Sequence, residues 1–293
     1  MHILLPPSET KADIRPAGTL ESGPVADLPP TSPTSPTSPT SPTWPTWPGP
    51  VDIGRLSVRG LTAARRAVLS ALIAVSKRGD SGLEVLGIGP GQRAELARNV
   101  ALRRATAYPA AAIYTGVLYA SLDIPTLPPD ALAMLDRSVL VFSGLWGVVR
   151  LADRIPPYRC SIGVALPGVG GLAAHWRRAL ARPMLAVVGD GLLLDLRSTA
   201  YAAMWTPTGT AVGRTATVRV LHERVVDGVA RRSVVSHFNK ATKGRIVRDL
   251  AGAGADPHTP DELATALRDL KYRVESEPAG RRPARLDIVV SEI

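Results

Sequence analysis

At 293 residues with 45% hydrophobic content, the chain is long enough for one large domain or two small ones and apolar enough for a substantial core. Aromatics make up only 4%, so that core must be built from Ala, Val and Leu, and the single cysteine, Cys160, excludes an intrachain disulfide or a multi-cysteine zinc site. A formal charge of +10 and a pI near 10.3 favour anionic partners such as nucleic acid, nucleotides or phosphates, although an arginine-rich chain carries the same excess on a merely solvated surface.

Ile3–Leu5 reads as an opening strand that runs into Pro-Pro-Ser-Glu-Thr-Lys. Residues 21–50 then carry a Pro/Thr/Ser repeat and two Thr-Trp-Pro triplets, predicted to be disordered or polyproline II because every third residue lacks a hydrogen-bond donor. This insert interrupts the domain without dividing it. Trp44 and Trp47 offer a protein-docking motif, with a flexible spacer the favoured alternative.

Gly60–Arg78 places Leu61, Ala64, Val68, Leu72 and Val75 at helical spacing. Leu83–Ala97 follows, with Gly87, Gly89 and Gly91 between two amphipathic stretches, as in a helix-hairpin-helix, where backbone N–H groups and a helix N-terminus grip a phosphate. The common form has Ala four residues beyond the second glycine; here Ala94 is five beyond Gly89, so a plain link between core helices remains open.

Further along, Pro128–Leu135 reads as a helix and Ser138–Phe142 as a strand, with two more strands at Leu185–Val188 and Leu192–Leu196. Ala216–His222 and Val229–Phe238 alternate about an Asp227-Gly228 turn. Asn239–Ala251 and Asp261–Lys271 are helical, and strands at Tyr272–Glu277 and Ala284–Val290 close the chain. The elements predict one α/β domain over 1–293, a mixed sheet flanked by helices. Basic residues outnumber acids between Arg214 and Asp249. No apolar run reaches membrane length, and no basic-then-apolar leader opens the chain, which predicts a soluble cytoplasmic protein.

The most distinctive stretch is Val141–Arg159. A buried strand breaks at Ser143-Gly144, Gly144 and Gly147 bracket Trp146, and Arg150 precedes a Pro-Pro-Tyr158-Arg159 turn. Its wording resembles the signature of the YaaA peroxide-stress protein family. Further blocks support the resemblance: the Ser8-Glu9-Thr-Lys11 loop, Tyr114-Thr-Gly, His175-Trp176, Leu194-Asp195-Leu-Arg-Ser198-Thr-Ala-Tyr201, and Ser236-His237-Phe-Asn-Lys240-Ala-Thr-Lys243-Gly-Arg245. The family implies a compact fold with a basic cleft and sequence-tolerant DNA binding linked to peroxide damage.

Standard catalytic templates are absent, and the histidines show no metal-ligand spacing, so no metal and no cofactor are expected. Cys160 reads as a buried cysteine. The remaining polar set divides by chemistry. Gly87, Gly89, Gly91, Arg93, Arg159, Lys240, Lys243 and Arg245 suit phosphate, with Lys240 and Lys243 on one helix face. Glu9, Lys11, Tyr114, His237 and Lys240 are the acid–base or nucleophile candidates if the cleft is an enzyme's, acting on a small anionic or nucleotide-like substrate. Ser8, Ser143, Gly144, Trp146, Gly147, Arg150, Tyr158, Asp195, Ser198 and Tyr201 complete the cleft motifs. The expected partner is DNA or another phosphate-bearing or anionic ligand, with no membrane.

Overall fold

The computed structural model describes residues 1–9, 11–12, 49–226, 229–234 and 236–291. Most of the Pro-rich insert, both Thr-Trp-Pro tryptophans and the Asp227-Gly228 turn lie outside the described residues.

The sheet is built outward from the chain's opening strand. Strand β1 (His2–Leu5) is central, with β2 (Val139–Ser143) on one side and β4 (Leu193–Asp195) on the other, both parallel to it. Ile3, Leu4 and Leu5 are fully buried, as is all of β2, the pattern of parallel strands covered on both faces. The antiparallel β3 (Gly147–Val149) closes the sheet beyond β2. On the other side β5 (Thr215–Val226) runs parallel to β4 and to β8 (Ala284–Ser291). β7 (Arg273–Glu277) lies antiparallel at that edge, and β6 (Val229–Ser233) folds back on the far half of β5. Among the described residues the order is β7-β8-β5-β4-β1-β2-β3, a mixed sheet of eight strands with β6 beside β5.

Helices cover the sheet: α1 (Thr62–Ser76), α2 (Asp80–Leu86), α3 (Arg93–Ala101), α4 (Val117–Leu122), α5 (Pro129–Ser138), α6 (Leu172–Leu180), α7 (Ser236–Gly252) and α8 (Pro260–Asp269). One hydrophobic cluster runs from Ile3 to Ile288. The fold is α/β around a mixed sheet, as the element pattern predicts. No helix among the described residues is long and apolar enough to cross a membrane.

Two elements differ from the reading of the sequence. The apolar run Leu185–Val188, expected as a strand, is part of a helix, Pro183–Val188. Pro183 sits in its first turn, and Met184 and Val188 are buried while Leu185 is 55% exposed, so the burial period is helical. The expected strand Val229–Phe238 stops at Ser233, and α7 begins at Ser236. Val234 and Phe238 are exposed, so neither side chain rewards an extension of the sheet.

Two glycines set how closely elements approach. Gly147 has φ +73°, and a Cβ there would lie 2.6 Å from the ring of Trp176, whose Nε1–H donates to the Gly144 carbonyl at 2.8 Å. Arg65, fully buried on α1, donates to the carbonyls of Trp146 and Val148 at 3.0 and 2.9 Å. Burial pushes its guanidinium down to about 10. The Ser143–Val149 turn is therefore clamped from both sides by side chains far away in sequence.

Candidate functional site

The carboxyl ends of β1, β2 and β4 lie side by side, and each delivers a polar segment: Pro6–Lys11, Ser143-Gly144 and Asp195–Ser198. In open parallel sheets this edge is where ligands bind.

The first segment is held in place by the chain around Tyr114. Lys11 bridges Tyr114, Ala12 N–H donates to the Ile113 carbonyl at 3.0 Å, Thr115 N–H donates to Ser8 Oγ at 3.0 Å, and the Tyr119 hydroxyl donates to the Pro6 carbonyl at 2.7 Å. Inside this cradle a chain of hydroxyls forms. Tyr158 lies 2.7 Å from Ser143 Oγ and 3.1 Å from the Tyr114 hydroxyl, and Ser143 Oγ accepts from Trp146 N–H at 2.9 Å. Burial raises both tyrosines above the ordinary phenol range and keeps them neutral. Ser143 is spent on this network. Lys11 Nζ donates to the Ser8 carbonyl at 2.5 Å and stands 4.4 Å from the centre of the Tyr158 ring. Burial brings Lys11 down to about 8; Glu9 opposes the shift and Arg159 adds to it.

That shift gives a stability test. The folded Lys11 titrates below an unfolded lysine, so its burial costs stability below pH 8, and the cost fades as pH rises toward the unfolded value, about 10.4. Lys11→Met is expected to be more stable than the native chain by about 1–2 kcal/mol at pH 7. The advantage should shrink toward zero by about pH 10 in denaturant titrations.

Arg159 is positioned by a residue the sequence reading missed. Asn99, fully buried on α3, donates to the Arg159 carbonyl at 2.8 Å and accepts its N–H at 2.9 Å, as a neighbouring strand would. The guanidinium then donates to the Glu9 carbonyl at 2.9 Å and pairs with its carboxylate at 3.2 Å. Glu9, Arg159, Ser161, Val164, Glu84 and Gly87 line an open cavity of about 320 Å³. Thus the loop after β1, the Tyr158-Arg159 turn and the start of the glycine turn meet at one place. Cys160, next to Arg159, is buried, and its thiol is pushed up to about 12 by burial, against thiolate reactivity.

The third segment forms its own cluster. Asp195 and Arg197 pair through two hydrogen bonds of 2.9 and 2.6 Å, with Arg197 fully buried and stacked 4.1 Å from the Phe142 ring centre. Lys243 turns inward to the Leu196 carbonyl at 3.2 Å, and burial lowers its pKa. Lys240, one turn earlier, is exposed, as are Arg245 and Ser198. Gly244 packs against the backbone of α4 at Leu118. Tyr201 is buried. The side chain of His237 lies outside the described residues.

Arg150 serves the frame: it donates to the Asp136 and Arg137 carbonyls at the end of α5, while its N–H donates to Asp153, which also accepts from Ser57, and the Ala152 N–H of the same turn donates to Asp136. Asn99 and Arg65 both occupy positions in apolar helical stripes, with Leu96 and with Leu61 and Val68 respectively. A polar residue on an apolar stripe is the signal that would have found them. Arg197 stands two residues from Asp195 in the quoted motif, a spacing that puts both on one side of an extended chain.

At the glycine turn, Gly87 caps α2 with φ +61°, where a side chain would be strained. Gly89 and Gly91 have neither positive φ nor any atom within 4 Å of a would-be Cβ. The Gly89 N–H meets no acceptor among the described residues. Arg93 pairs with Asp80, and Arg98 with Glu95 at 2.7 Å. Among the described residues no group of three His, Cys, Asp or Glu side chains is placed to hold a metal ion.

Fold and site together define an α/β protein with a buried hydroxyl–lysine network and an adjoining cavity at the carboxyl ends of its central parallel strands. Residues 1–278 match the model of the family described as peroxide stress protein YaaA, and the chain belongs to that family. It is 55% identical to a UPF0246 protein of Streptomyces coelicolor, over 83% of this chain and 93% of that one. It is 37% identical to a UPF0246 protein of Corynebacterium efficiens, over 94% and 95%, and 36% identical to one of Corynebacterium glutamicum, over 78% and 89%.

Proposed function

We propose that this chain is a cytoplasmic peroxide-stress protein that binds DNA through the phosphate backbone, with the α2–α3 turn as a helix-hairpin-helix contact. The observation that carries the reading is that nothing inside the fold requires glycine at Gly89 or Gly91. Bare backbone is exposed there at the start of α3, and the Gly89 N–H has no acceptor among the described residues. Close approach of backbone to a phosphate is a physical reason for glycine at such a turn. The Arg93–Asp80 pair is exposed, so it holds Arg93 by at most about 1 kcal/mol, less than a phosphate contact offers. A net charge of +10 supports the same partner.

The test is duplex binding across a salt series. Binding should be micromolar or tighter at low salt and fall by about 0.9 log unit per log unit of salt for each phosphate neutralised. The Gly89→Ala/Gly91→Ala double variant should keep its melting temperature and lose at least about tenfold in affinity, since Ala is tolerated at these angles but stands the phosphate off. Unchanged affinity in that variant would remove the turn from the account.

A second reading is favoured by a separate observation. The cavity beside Arg159 has the volume of a small-ligand site, and its lining carries Glu9 and Glu84 as well, which a pure phosphate grip does not need. In this reading the protein is an enzyme acting on a small anionic or nucleotide-like substrate. Binding there would depend weakly on salt and strongly on Arg159.

A further inference from the structure

The open cavity at Arg159 carries more negative charge than positive. Among the described residues its lining holds one cation, Arg159, and two carboxylates, Glu9 and Glu84. Arg159 and Glu9 neutralise each other at 3.2 Å, which leaves Glu84 as the excess charge. Glu84 is exposed near the end of α2, and its carboxylate has no cation or hydrogen-bond donor among the described residues. At contact distance such a charge outweighs the distant, screened excess of arginine elsewhere on the surface. The cavity therefore favours a ligand with a cationic group and disfavours a bare phosphate or dicarboxylate.

Arg159 is nevertheless built to take an anion. Its backbone is fixed by Asn99 at 2.8 and 2.9 Å, and its Nη1 donates to the Glu9 carbonyl at 2.9 Å. The guanidinium thus keeps its place when the Glu9 carboxylate swings away. That carboxylate is 48% exposed, and a pair so open to water is weakly held. Arg159 Nη2 makes no hydrogen bond among the described residues, nor does the half-buried Ser161 hydroxyl in the same lining. The buried side chains of Leu86 and Val164 border the cavity and supply an apolar wall.

We propose that this cavity binds a small zwitterion, an aliphatic α-amino acid, with its carboxylate on Arg159 and Ser161, its ammonium on Glu84 and its side chain against Leu86 and Val164. The inference rests on the second reading above, in which the cavity is a small-ligand site, and names the ligand class. A carboxylate on Arg159 displaces Glu9 and exchanges one ion pair for another, so that end gains little alone. An ammonium on Glu84 makes a pair where the described residues provide none. Joined in one molecule, the two ends bind better than either does separately, because the second contact is made at high effective concentration. A volume of about 320 Å³ lies at the small end of the range for ligand sites.

Titration calorimetry of the full chain with L-valine, isovalerate and isobutylamine tests the proposal. Isovalerate is valine without its amine, and isobutylamine is valine without its carboxylate. Valine should bind at least about tenfold tighter than either analogue. In Glu84→Gln its advantage over isovalerate should vanish while isovalerate binding is unchanged, and the exposed position should leave the melting temperature as it was. In Arg159→Gln its advantage over isobutylamine should vanish. Valine binding undiminished by Glu84→Gln overturns the proposal. Isovalerate bound as tightly as valine, and dependent on Arg159, also overturns it but leaves a small-ligand cavity standing. Absence of binding by all three at about 10 mM removes both the proposal and the reading it rests on.

Discussion

Gly144→Ala is expected to destabilise the protein by about 3 kcal/mol and to weaken ligand binding in the cleft. The added methyl would stand 2.5 Å from the Cys160 carbonyl oxygen and 3.2 Å from the Ser161 carbonyl carbon, both backbone atoms that cannot rotate away. Gly144 has an ordinary backbone conformation, so the whole penalty comes from this close approach. Relief requires residues 160–161 to retreat, and they are tied to the site: Asn99 holds Arg159 on one side and Ser161 lines the cavity on the other. The expected result is a lower denaturation midpoint together with reduced Arg159-dependent binding. A variant as stable as the native chain would show that the strand-end turn is looser than this packing implies.

Gly244→Ala should be of similar size for a different reason. In an exposed helix interior this substitution gains up to about 1 kcal/mol from propensity. Here the new Cβ would press into the Leu118 carbonyl, with Ser121 Cβ at 2.9 Å and Leu122 N at 3.0 Å, so α7 must move off α4. Overpacking costs of about 1–3 kcal/mol and sometimes more exceed the propensity gain, and a net loss of about 2 kcal/mol is expected by denaturant titration. Because α7 carries Lys243 to the Leu196 carbonyl, the shift should also loosen the end of β4. A stabilised variant would mean that propensity outweighs the contact.

What the sequence made legible follows from how local each cause is. The central strands were readable because β1 and β2 are unbroken apolar runs, and the glycine turn because its spacing is confined to a few residues. Leu185–Val188 was misread because a short apolar run has no period of its own; Pro183 and the burial of Met184 and Val188 decide it, and the second of these is a tertiary fact. In the site, sequence motifs mark Ser8, Glu9, Lys11, Tyr114, Ser143, Tyr158 and Arg159, and the structure brings them together through hydrogen bonds and an ion pair. Their roles were hidden. Whether Ser143 is a nucleophile or a strut depends on Tyr158 and on Trp146 N–H, and whether Lys11 is charged depends on burial between two rings. Asn99 was hidden because its partner is the Arg159 backbone, 60 residues away. Lys240 and Lys243, adjacent on paper, face different surroundings because α7 turns one toward Leu196 and leaves the other exposed.

The central claim is that exposed backbone at Gly89 and Gly91 meets a nucleic-acid phosphate. It is tested most directly by selective 15N labelling of glycine and titration with a short DNA duplex while amide shifts are followed. The account predicts that the Gly89 and Gly91 resonances move as the duplex is added and return toward their free positions as salt is raised, while that of Gly254, two residues before the Asp256 that binds the Met1 amine at the other end of β1, stays in place. Duplex binding that leaves Gly89 and Gly91 unmoved, or no binding at low salt, would contradict it.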